Sequence, residues 1–318
     1  MISVPPPKIT IAIPTLNRCK YLLEALHSAL AQTYTNIEVV VSDNASTDNT
    51  LEQLSTITDP RLRVLKQLRN LGMTGNFNAA LEVASGEYFL LLSDDDILAP
   101  DAIERLSVPF RGLVPDLDPA SVGLSWSPCV IIDAAGKELW STAAGPSLES
   151  SVSFIENLWL GHRGPRLASV LERTNDARVV GGYDDARFGL LCDTGNWGQV
   201  GLRYPNVVCL PQMLVRYRVH PSSGTGESVC AEWQRNGAEL HAALVETLRS
   251  RGNSAGAARL ERVKDPLLAN LTVDVLMRGR GTPGWPGRSL RELWRSRAYL
   301  LTPYCLRRLV RDGIKLVQ

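Results

Sequence analysis

The sequence predicts an α/β fold, with a mainly parallel central sheet, helices on both faces and a helical C-terminal extension. Three observations lead to this prediction. Short continuous apolar runs, typical of strands buried on both faces, alternate with segments of helical periodicity along the first 110 residues. Strand–helix repetition at this spacing implies right-handed crossovers between parallel strands. From about residue 228, helical periodicity continues without strand signals.

The first part of the chain contains four predicted strands and three predicted helices. The strands are short apolar runs, of which the third is the weakest: Ile9–Pro14, Ile37–Asp43, Arg63–Gln67 and Tyr88–Ser93. The helices are residues 20–31, a segment opening at STDNTLEQL with Ser46 or Thr47 as its N-cap, and residues 74–84.

Beyond residue 110 the predicted elements are less regular. Turn signals and short apolar runs predict strands, and Gly/Pro clusters predict loops. In chain order we expect a hairpin over residues 121–141 with its turn at Ala135–Gly136, a helix with glycine-rich loops over 150–205, two short strands over Asn206–His220, helices over 228–277, and a linker at Gly279–Ser289 before a basic helical pair.

Composition excludes several classes of protein. The formal net charge of the 318 residues is +1, which argues against general nucleic-acid binding. The six cysteines form no CxxC pair, so they indicate reduced thiols rather than a disulfide framework or a zinc site. The N-terminus lacks the apolar segment of a signal peptide, and no stretch approaches the roughly 20 apolar residues that span a bilayer. We therefore expect a cytoplasmic protein.

Three consecutive aspartates, Asp94, Asp95 and Asp96, directly follow the fourth apolar strand. Adjacent carboxylates repel one another, and Mg²⁺ or Mn²⁺ would hold them together because these ions bridge carboxylates to phosphates. The alternative is a helix N-terminus, where aspartate is favourable near the positive end of the dipole. Asp101, which follows Pro100, already suits that position. The cluster therefore predicts a metal site.

Polar residues also follow the other three strands. In parallel sheets, ligands bind beyond the carboxyl ends of the strands, so these groups predict one site. The chain has neither a GxGxxG after the first strand nor a GxxxxGK[ST] loop, so a dinucleotide dehydrogenase or P-loop protein is poorly supported. The polar groups are Thr15–Asn17–Arg18 after the first strand, Asp43–Asn44 after the second and Asn70 after the third.

The segments IPTLNR, VVVSDNASTDNT, RNLG, GEYFLLLSDDD and YRVHPSS occur in this order along the chain. Together they resemble the family 2 glycosyltransferases, inverting enzymes with the Rossmann-like GT-A fold. The resemblance covers roughly residues 8–225. It implies a catalytic domain over 1–225, with a nucleotide-sugar half at about 8–110 and an acceptor half at about 111–225, and a helical region over 226–318.

The resemblance also implies the residues that bind the donor. Asp43 would accept a hydrogen bond from the base, although an aspartate at a strand end can instead cap the following loop. Asp95 would lie near the ribose, with Asp94 close by. The residues expected to line the rest of the nucleotide pocket are Pro14, Thr15, Asn17, Arg18 and Asn70.

Asp96 and His220 are the metal ligands that the resemblance implies, with Mn²⁺ or Mg²⁺ as the cofactor. His220, in YRVHPSS, is similar to a late histidine of the family that reaches the diphosphate or the metal. A lone histidine in a loop after a strand can also be purely structural, and that alternative stays open at this point.

The catalytic base implied by the resemblance is Asp193. In the family an acidic pair follows a Gly-Gly-aromatic-Asp stretch by about ten residues, and here GGYDD is followed by LLCDTGNW. Asp193 takes the place of the second acid, whereas Cys192 replaces the first. The alternative for Asp193 is a helix cap or a loop hydrogen bond. Asp184 and Asp185 are the other candidates for the base.

A second departure from the family lies in TGNFNAAL. Many relatives have an arginine where this chain has Phe77, so one possible phosphate contact is lost. Asn76 and Asn78 could supply neutral hydrogen bonds to the donor, or could cap and pack their helix. A subgroup with an Asn-aromatic-Asn signature and a DDD motif, often in surface-polysaccharide pathways, is similar to this chain.

The function implied is the metal-dependent, inverting transfer of a sugar from a nucleotide-diphosphate sugar to a saccharide or lipid-linked saccharide in cell-surface glycan biosynthesis. Two alternatives remain. A sugar nucleotidyltransferase shares metal carboxylates on an α/β domain, but PTLNRCK lacks the glycine-rich basic loop that such enzymes usually have after the first strand. A non-catalytic nucleotide-sugar-binding or assembly protein is favoured only by Cys192 in the acidic pair.

The C-terminal tail differs electrostatically from the rest of the chain. Residues 1–277 have 24 Lys+Arg and 31 Asp+Glu, a net charge of −7, whereas residues 278–318 have 10 and 2, a net charge of +8. Residues 290–317 place apolar side chains on one helical face and cations on another, as in helices that lie at a membrane surface. We expect either peripheral contact with the inner face of the cell membrane, or packing on the catalytic domain or in a dimer contact.

Overall fold

The computed structural model describes residues 5–220 and 230–278, and the side chains of 5–220 and 231–271. Two compact units make up the chain. The first comprises Met1–Ser151, Arg163–Tyr183 and Asn196–His220, and the second comprises Val152–His162, Asp184–Gly195 and Pro221–Gln318. The predicted linker and the basic tail, residues 279–318, lie outside the described residues.

Twelve strands are found in the described part of the chain. They form two sheets of the first unit. In chain order they are β1 Ile9–Thr15, β2 Ile37–Asp43, β3 Leu62–Lys66, β4 Tyr88–Leu91, β5 Ile97–Leu98, β6 Val122–Trp126, β7 Cys129–Ile132, β8 Glu138–Ser141, β9 Leu148–Ser150, β10 Val170–Arg173, β11 Asn206–Cys209 and β12 Val215–Arg218.

The described α-helices connect these strands and build the second unit. In chain order they are α1 Cys19–Leu30, α2 Thr50–Ser55, α3 Met73–Val83, α4 Ala102–Ser107, α5 Ser151–Trp159, α6 Thr174–Val179, α7 Asp185–Phe188, α8 Cys192–Gly201, α9 Cys230–Ser250, α10 Ser254–Glu261 and α11 Lys264–Arg278. Along the described residues, no helix combines the length and the apolar composition needed to cross a membrane.

The large sheet has eight strands in the order β3-β2-β1-β4-β10-β6-β11-β9. Its first four strands are parallel, with Ile9 opposite both Ile37 and Tyr88. Beyond β4 the sheet is mixed, because β10 pairs antiparallel with both β4 and β6. The predicted α/β architecture, with parallel strands joined through helices and a helical C-terminal region, is confirmed.

The small sheet has the order β5-β12-β7-β8. Because β12 pairs with β5, the end of β12 lies beside the loop between β4 and β5. The expected hairpin of residues 121–141 is present only in part. β7 and β8 form it, whereas β6, the first half of the expected arm, belongs to the large sheet. The break falls at Pro128, which lacks the N–H that a continuous strand needs.

The core of the first unit lies around the parallel strands. β1 is buried along its whole length, as expected of a strand covered on both faces. Helix α1 buries Leu22 and Leu26, fully excluded from solvent, in the same hydrophobic cluster as Ile11 and Val39. This packing fixes the carboxyl ends of β1, β2 and β4, from which the polar loops emerge.

Helix α2 begins later than the sequence predicted. Its first residue is Thr50, its N-cap position is Asn49, and no side chain caps it there. The assignment of Ser46 or Thr47 as N-cap is therefore wrong. Both residues instead hold the neighbouring loop through Asn17, since the Asn17 N–H donates to Ser46 Oγ and the Thr47 N–H donates to Asn17 Oδ1.

Candidate active site

Four loops lie at the carboxyl edge of the parallel strands, and side-chain amides join three of them, the loops after β1, β2 and β3. Asn17 Oδ1, after β1, accepts the Thr47 N–H, after β2, at 2.7 Å. Asn44 Nδ2, after β2, donates to Asn70 Oδ1, after β3, at 2.9 Å. Asn44 Oδ1 accepts the N–H of Leu71. The predicted donor-site residues Asn17 and Asn70 are thus brought into one connected edge.

The loop after β1 has an unusual backbone. Asn17 has φ 54° and Ala45, in the neighbouring loop, has φ 65°. Positive φ is uncommon for residues other than glycine, and such residues cluster at ligand-binding sites, where the surrounding structure must hold them in place. The hydrogen bonds of Asn17 to the loop after β2 supply that hold.

Asp94 and Asp95 form a network with the last residue of β1 and the loop that follows it. Thr15 Oγ1 donates to Asp94 Oδ2 at 2.8 Å, and Arg18 Nη1 lies 3.1 Å from Asp94 Oδ1 and 3.2 Å from Asp95 Oδ2. Burial raises the pKa of Asp94 to about 6, although the charge of Arg18 opposes the shift. His220 Nε2 lies 2.9 Å from Asp95 Oδ2, and its ring stacks on Tyr21.

Asp96 is fully buried and only one of its two carboxylate oxygens is satisfied. The Arg218 N–H donates to Oδ1 at 2.8 Å, whereas Oδ2 has no hydrogen-bond partner among the described residues. Burial, with the charge of Asp95 next, raises the pKa of Asp96 well above its ordinary value. A buried carboxylate oxygen without a donor is unfavourable unless a cation completes it.

The site therefore fits a divalent cation that the protein holds only in part. In the described residues, no three His, Cys, Asp or Glu side chains converge as a complete metal site. Mg²⁺ and Mn²⁺ suit such a site because they are commonly held by one or two carboxylates together with the phosphates of a substrate. Asp96 Oδ2 is the protein oxygen left available for this purpose.

Arg218 was not predicted from the sequence, yet it organises the aspartate cluster. Its guanidinium is almost fully buried and donates to the Asp95 carbonyl at 2.9 Å, to the Ala134 carbonyl at 3.1 Å and to Glu24 Oε2 at 2.6 Å. It also lies 4.8 Å from the centre of the Tyr21 ring. An arginine inside YRVH was the only signal that the sequence offered.

The remaining predicted residues of the nucleotide pocket lie at the ends of β1 and β2. Pro14 pairs in register with Ser42, and both residues are buried. Asp43 is fully buried and both of its carboxylate oxygens face the Ser46 N–H at 3.3 Å. That contact is the loop cap considered as the alternative for Asp43, and it leaves further acceptor capacity on the carboxylate.

Asp193 lies in the first turn of α8, in the second unit, and is half-buried. Its Oδ1 accepts the Thr194 N–H at 2.6 Å. Burial raises the pKa of the Cys192 thiol, so the thiol does not supply the negative charge that a carboxylate would have at this position. Asp184 caps α7 by accepting the Arg187 N–H at 3.1 Å, which is a structural role.

The two asparagines around Phe77 pack helix α3. Asn76 is buried and exchanges hydrogen bonds with both the hydroxyl and the carbonyl of Ser42. Asn78 bonds to the N–H and the carbonyl of Tyr183 at 2.9 Å each, and Phe77 meets the Tyr183 ring edge-on. Both amides are thus used within the protein, in agreement with the packing alternative.

Comparison with known proteins finds a family match for one segment of the first unit. Residues 10–111 match the family model described as Glycosyl transferase family 2. This segment is thus similar to that family, and it includes the loops after β1, β2, β3 and β4.

Curated relatives align with about a third of the chain. Over about 100 residues it is 39% identical to chondroitin synthase of Escherichia coli, 39% identical to glycosyltransferase GlyG of Streptococcus pneumoniae serotype 4, and 36% identical to the succinoglycan biosynthesis protein ExoO of Rhizobium meliloti. The alignments cover 33%, 31% and 31% of this chain, and 16%, 33% and 29% of those relatives. The chain thus spans a third or less of their lengths.

Solved structures extend the likeness to the whole chain at the level of the fold. S. aureus TarS 1–349 in complex with UDP-GlcNAc superposes with a TM-score of 0.65 at 16% identity, covering 98% of this chain and 93% of that chain. Mannosyltransferase PcManGT from Pyrobaculum calidifontis, in complex with GDP-Man and Mn²⁺, superposes with a TM-score of 0.55 at 18% identity, covering 97% and 85%. The fold is thus shared with these enzymes.

Proposed function

We propose that the protein is a metal-dependent inverting glycosyltransferase that moves a sugar from a nucleotide-diphosphate sugar to a hydroxyl group of a saccharide acceptor. The observation that carries the proposal is the unpartnered, fully buried Oδ2 of Asp96 at the carboxyl edge of the parallel strands. In a family 2 domain, a buried acidic cluster at that edge suits a cation together with a diphosphate.

The donor would be bound by the loops after the parallel strands. The side chains of Asn17 and Asn70 fix the loop geometry, and Asp43 accepts a hydrogen bond from the base. Arg18 balances the charge of Asp94 and Asp95, so Asp95 can face the ribose. These roles require rigid side chains, which the connected network of hydrogen bonds supplies.

Asp96 and His220 would hold Mn²⁺ or Mg²⁺, and Asp95, whose Oδ2 lies 2.9 Å from His220 Nε2, would complete the polar lining. When bound, the cation offsets the negative charge that develops on the diphosphate as it leaves. The Arg218 N–H holds the other oxygen of Asp96 in place, which leaves Oδ2 for the cation. The mannosyltransferase of similar fold was solved in complex with GDP-Man and Mn²⁺, which supports this choice of cofactor.

Asp193 would act as the general base. As the acceptor hydroxyl attacks the anomeric carbon, its proton passes to the Asp193 carboxylate and the bond from that carbon to the diphosphate breaks. A single displacement of this kind inverts the anomeric centre. The neutral Cys192 thiol beside Asp193 favours a second candidate, a nucleotide-sugar-binding protein without transfer activity.

The acceptor is proposed to be a saccharide or lipid-linked saccharide of a cell-surface glycan. The names of the relatives, chondroitin synthase and a succinoglycan biosynthesis protein, support a role in polysaccharide synthesis. The cationic, amphipathic residues 290–317 would attach the protein to the inner face of the cell membrane, where a lipid-linked acceptor is accessible.

A thermal-shift series tests the proposal. UDP-, dTDP- and GDP-sugars are each added with and without Mn²⁺ or Mg²⁺, since a ligand that binds only the folded state raises Tm. We expect one nucleotide class to raise Tm only in the presence of the metal. Donor hydrolysis or transfer under the same conditions excludes the non-catalytic candidate. Absence of any shift across the series in folded protein would contradict donor binding.

A further inference from the structure

Glu172 is a fully buried carboxylate that the proposed mechanism does not use. It lies on β10, in the middle of the large sheet, between β4 and β6. Within the described residues, no lysine, arginine or histidine lies within ion-pair distance of Glu172. Its counterpart on β9, Glu149, is paired with Arg163 at 2.9 Å. Burying a carboxylate without a cation is unfavourable in free energy, which suggests that Glu172 has a function at this position.

Neutral donors surround the Glu172 carboxylate. Asn196 Nδ2 lies 2.7 Å from both Oε1 and Oε2, and the Tyr183 hydroxyl donates to Oε1 at 3.1 Å. Besides burial, the negative charge of Asp176, on α6, raises the pKa of Glu172. Asp176 itself accepts hydrogen bonds from Arg203 and from the Tyr204 hydroxyl.

Asn196 connects Glu172 to the helix that carries the proposed base. Asp193 and Asn196 lie three residues apart in α8, which places them one turn apart on the same face of the helix. Asn196 is fully buried, and its Oδ1 has no hydrogen-bond partner among the described residues. The Glu172 contact is therefore the hydrogen bond that its side chain makes in the structure.

We propose that Glu172 is a positioning residue for Asp193. By receiving the Asn196 amide with both of its oxygens, Glu172 fixes the position of α8 and with it the carboxylate of Asp193 at the start of that helix. The inference rests on the proposed function, in which Asp193 takes the proton from the acceptor. A base displaced by a fraction of an ångström removes that proton less effectively.

The ionisation of Glu172 changes the contact. An ionised carboxylate accepts both N–H contacts of Asn196, as in the structure, and leaves Asn196 Oδ1 unsatisfied. A neutral carboxyl has one O–H, which can donate to Asn196 Oδ1 once the amide rotates. Burial raises the pKa of Glu172 to about 7, so both forms are populated near neutral pH. We therefore assign the positioning role to the ionised form.

The test compares Glu172→Gln with Glu149→Gln, a matched control that removes another buried carboxylate of the first unit. Gln keeps the size of Glu172. Like the neutral acid, however, it cannot accept hydrogen bonds from Asn196 Nδ2 with both of its terminal atoms. In ¹H–¹⁵N spectra of the protein without ligand, we expect Glu172→Gln to shift the backbone amide of Asp193, and Glu149→Gln to leave it in place. An unchanged Asp193 resonance in Glu172→Gln overturns the proposal.

Kinetics with the nucleotide sugar selected by the thermal-shift series provide the second readout. We expect Glu172→Gln to lower kcat by about ten- to a hundredfold with the donor KM unchanged. The rise of kcat between about pH 6 and about pH 8 in the parent protein should also be absent from this variant. Equal kcat in both proteins, or an equal loss in Glu149→Gln, overturns the proposal.

Asn196→Ala shows whether the effect passes through α8. If it does, Glu172→Gln adds little to the kcat loss of Asn196→Ala, whereas full additivity overturns the positioning route. Failure of the proposed function is recognised separately. If Asp193→Asn retains turnover, Asp193 is not the base, while the spectra still report whether Glu172 holds α8.

Discussion

The negative charges of the buried carboxylates in the first unit are balanced in different ways. These differences indicate which carboxylates have a functional role. Glu149 and Asp176 are each paired with an arginine. Asp96 and Glu172 have no cation within ion-pair distance among the described residues, and burial raises the pKa of both. Raised pKa values at specific buried groups are typical of sites that bind or react. We propose that Asp96 binds a metal ion and that Glu172 positions a helix.

Asp96→Asn is expected to abolish the metal-dependent rise in Tm produced by the nucleotide sugar. The amide removes the charge that the cation requires, while its oxygen can still accept the Arg218 N–H. Without metal, Tm should not fall, because repulsion from Asp95 disappears. Thermal shift with and without Mn²⁺ measures both effects. A metal-dependent shift that persists at full size would exclude Asp96 as a ligand.

Asp193→Asn is expected to abolish turnover and to preserve donor binding. The amide has nearly the same shape but cannot take the proton of the acceptor hydroxyl, a function typically worth 10²–10⁴-fold in rate. Product formation is measured beside the donor-induced change in Tm. Asp185→Asn, in α7, is the matched control and should retain activity. Normal turnover in Asp193→Asn, with loss in Asp185→Asn, would transfer the role to Asp185.

The pH dependence of stability has a defined sign at Glu172. Its pKa is about 7 in the folded protein against an ordinary value of 4.5, so the folded state binds the proton more tightly. The stabilisation is complete below about pH 4.5 and is lost as pH rises through about 7. Glu172→Gln should match the parent at about pH 4 and exceed its free energy of unfolding by about 3 kcal/mol at about pH 8.

Urea unfolding of metal-free protein at the two pH values measures this difference. Comparison of two proteins at each pH removes the contributions of other titrating groups, such as Asp94, whose pKa is also raised, and His241, whose pKa is lowered by burial. A pH-independent difference between the proteins would mean that Glu172 does not ionise in this range.

At the scale of elements, prediction from sequence succeeded where an element is long or uniformly apolar. β1 and β2 are continuous apolar runs and were placed to within a residue. It failed for β9 and β10, three and four residues long, because such short strands are defined by their partners. Glu172 was therefore missed, since an acid in an unrecognised strand carries no signal of burial.

The candidate site, too, could be predicted only where local sequence patterns determine the structure. The polar residues after the strands could be placed at one edge, because parallel strands end together. The contact between Asp96 and Arg218 spans 122 positions and arises from the pairing of β12 with β5, which no local pattern encodes. The role of Asn76 also needed the structure, because a buried packing amide and a ligand-binding amide look alike in sequence.

Gly86, just before β4, is expected to tolerate no side chain. A Cβ there would lie 2.5 Å from the Thr10 nitrogen and 2.9 Å from the Ile9 carbonyl carbon, which are backbone atoms at the start of β1. Gly86→Ala should therefore separate β4 from β1 and lower the free energy of unfolding by about 2–4 kcal/mol. Urea unfolding monitored by circular dichroism measures it.

Gly201→Ala is the matched control at the end of α8. A Cβ there would meet Leu124 at 3.8 Å, an ordinary contact, and alanine favours the helix by up to about 1 kcal/mol. We expect stability equal to or above that of the parent protein. Comparable losses in both variants would show that the spacing of β1 and β4 is not the reason for the glycine at position 86.

At the scale of the whole molecule, charge is distributed unevenly along the chain. The net charge of −7 over residues 1–277 would keep the body of the protein away from an anionic membrane, whereas the +8 of residues 278–318 would be drawn to it. Lysine and arginine near such a surface contribute about 1 kcal/mol each, so ten of them can outweigh the repulsion of the more distant body.

Co-flotation with anionic liposomes tests this interpretation. Full-length protein is expected in the floating fraction, and protein truncated after Arg280 is expected to remain in the dense fraction. Raising the salt concentration should release the full-length protein in part, since screening weakens attraction to the headgroups while apolar insertion persists. Neutral liposomes serve as the control. Equal recovery of both proteins with anionic liposomes would end the membrane hypothesis and leave packing on the protein as the role of the tail.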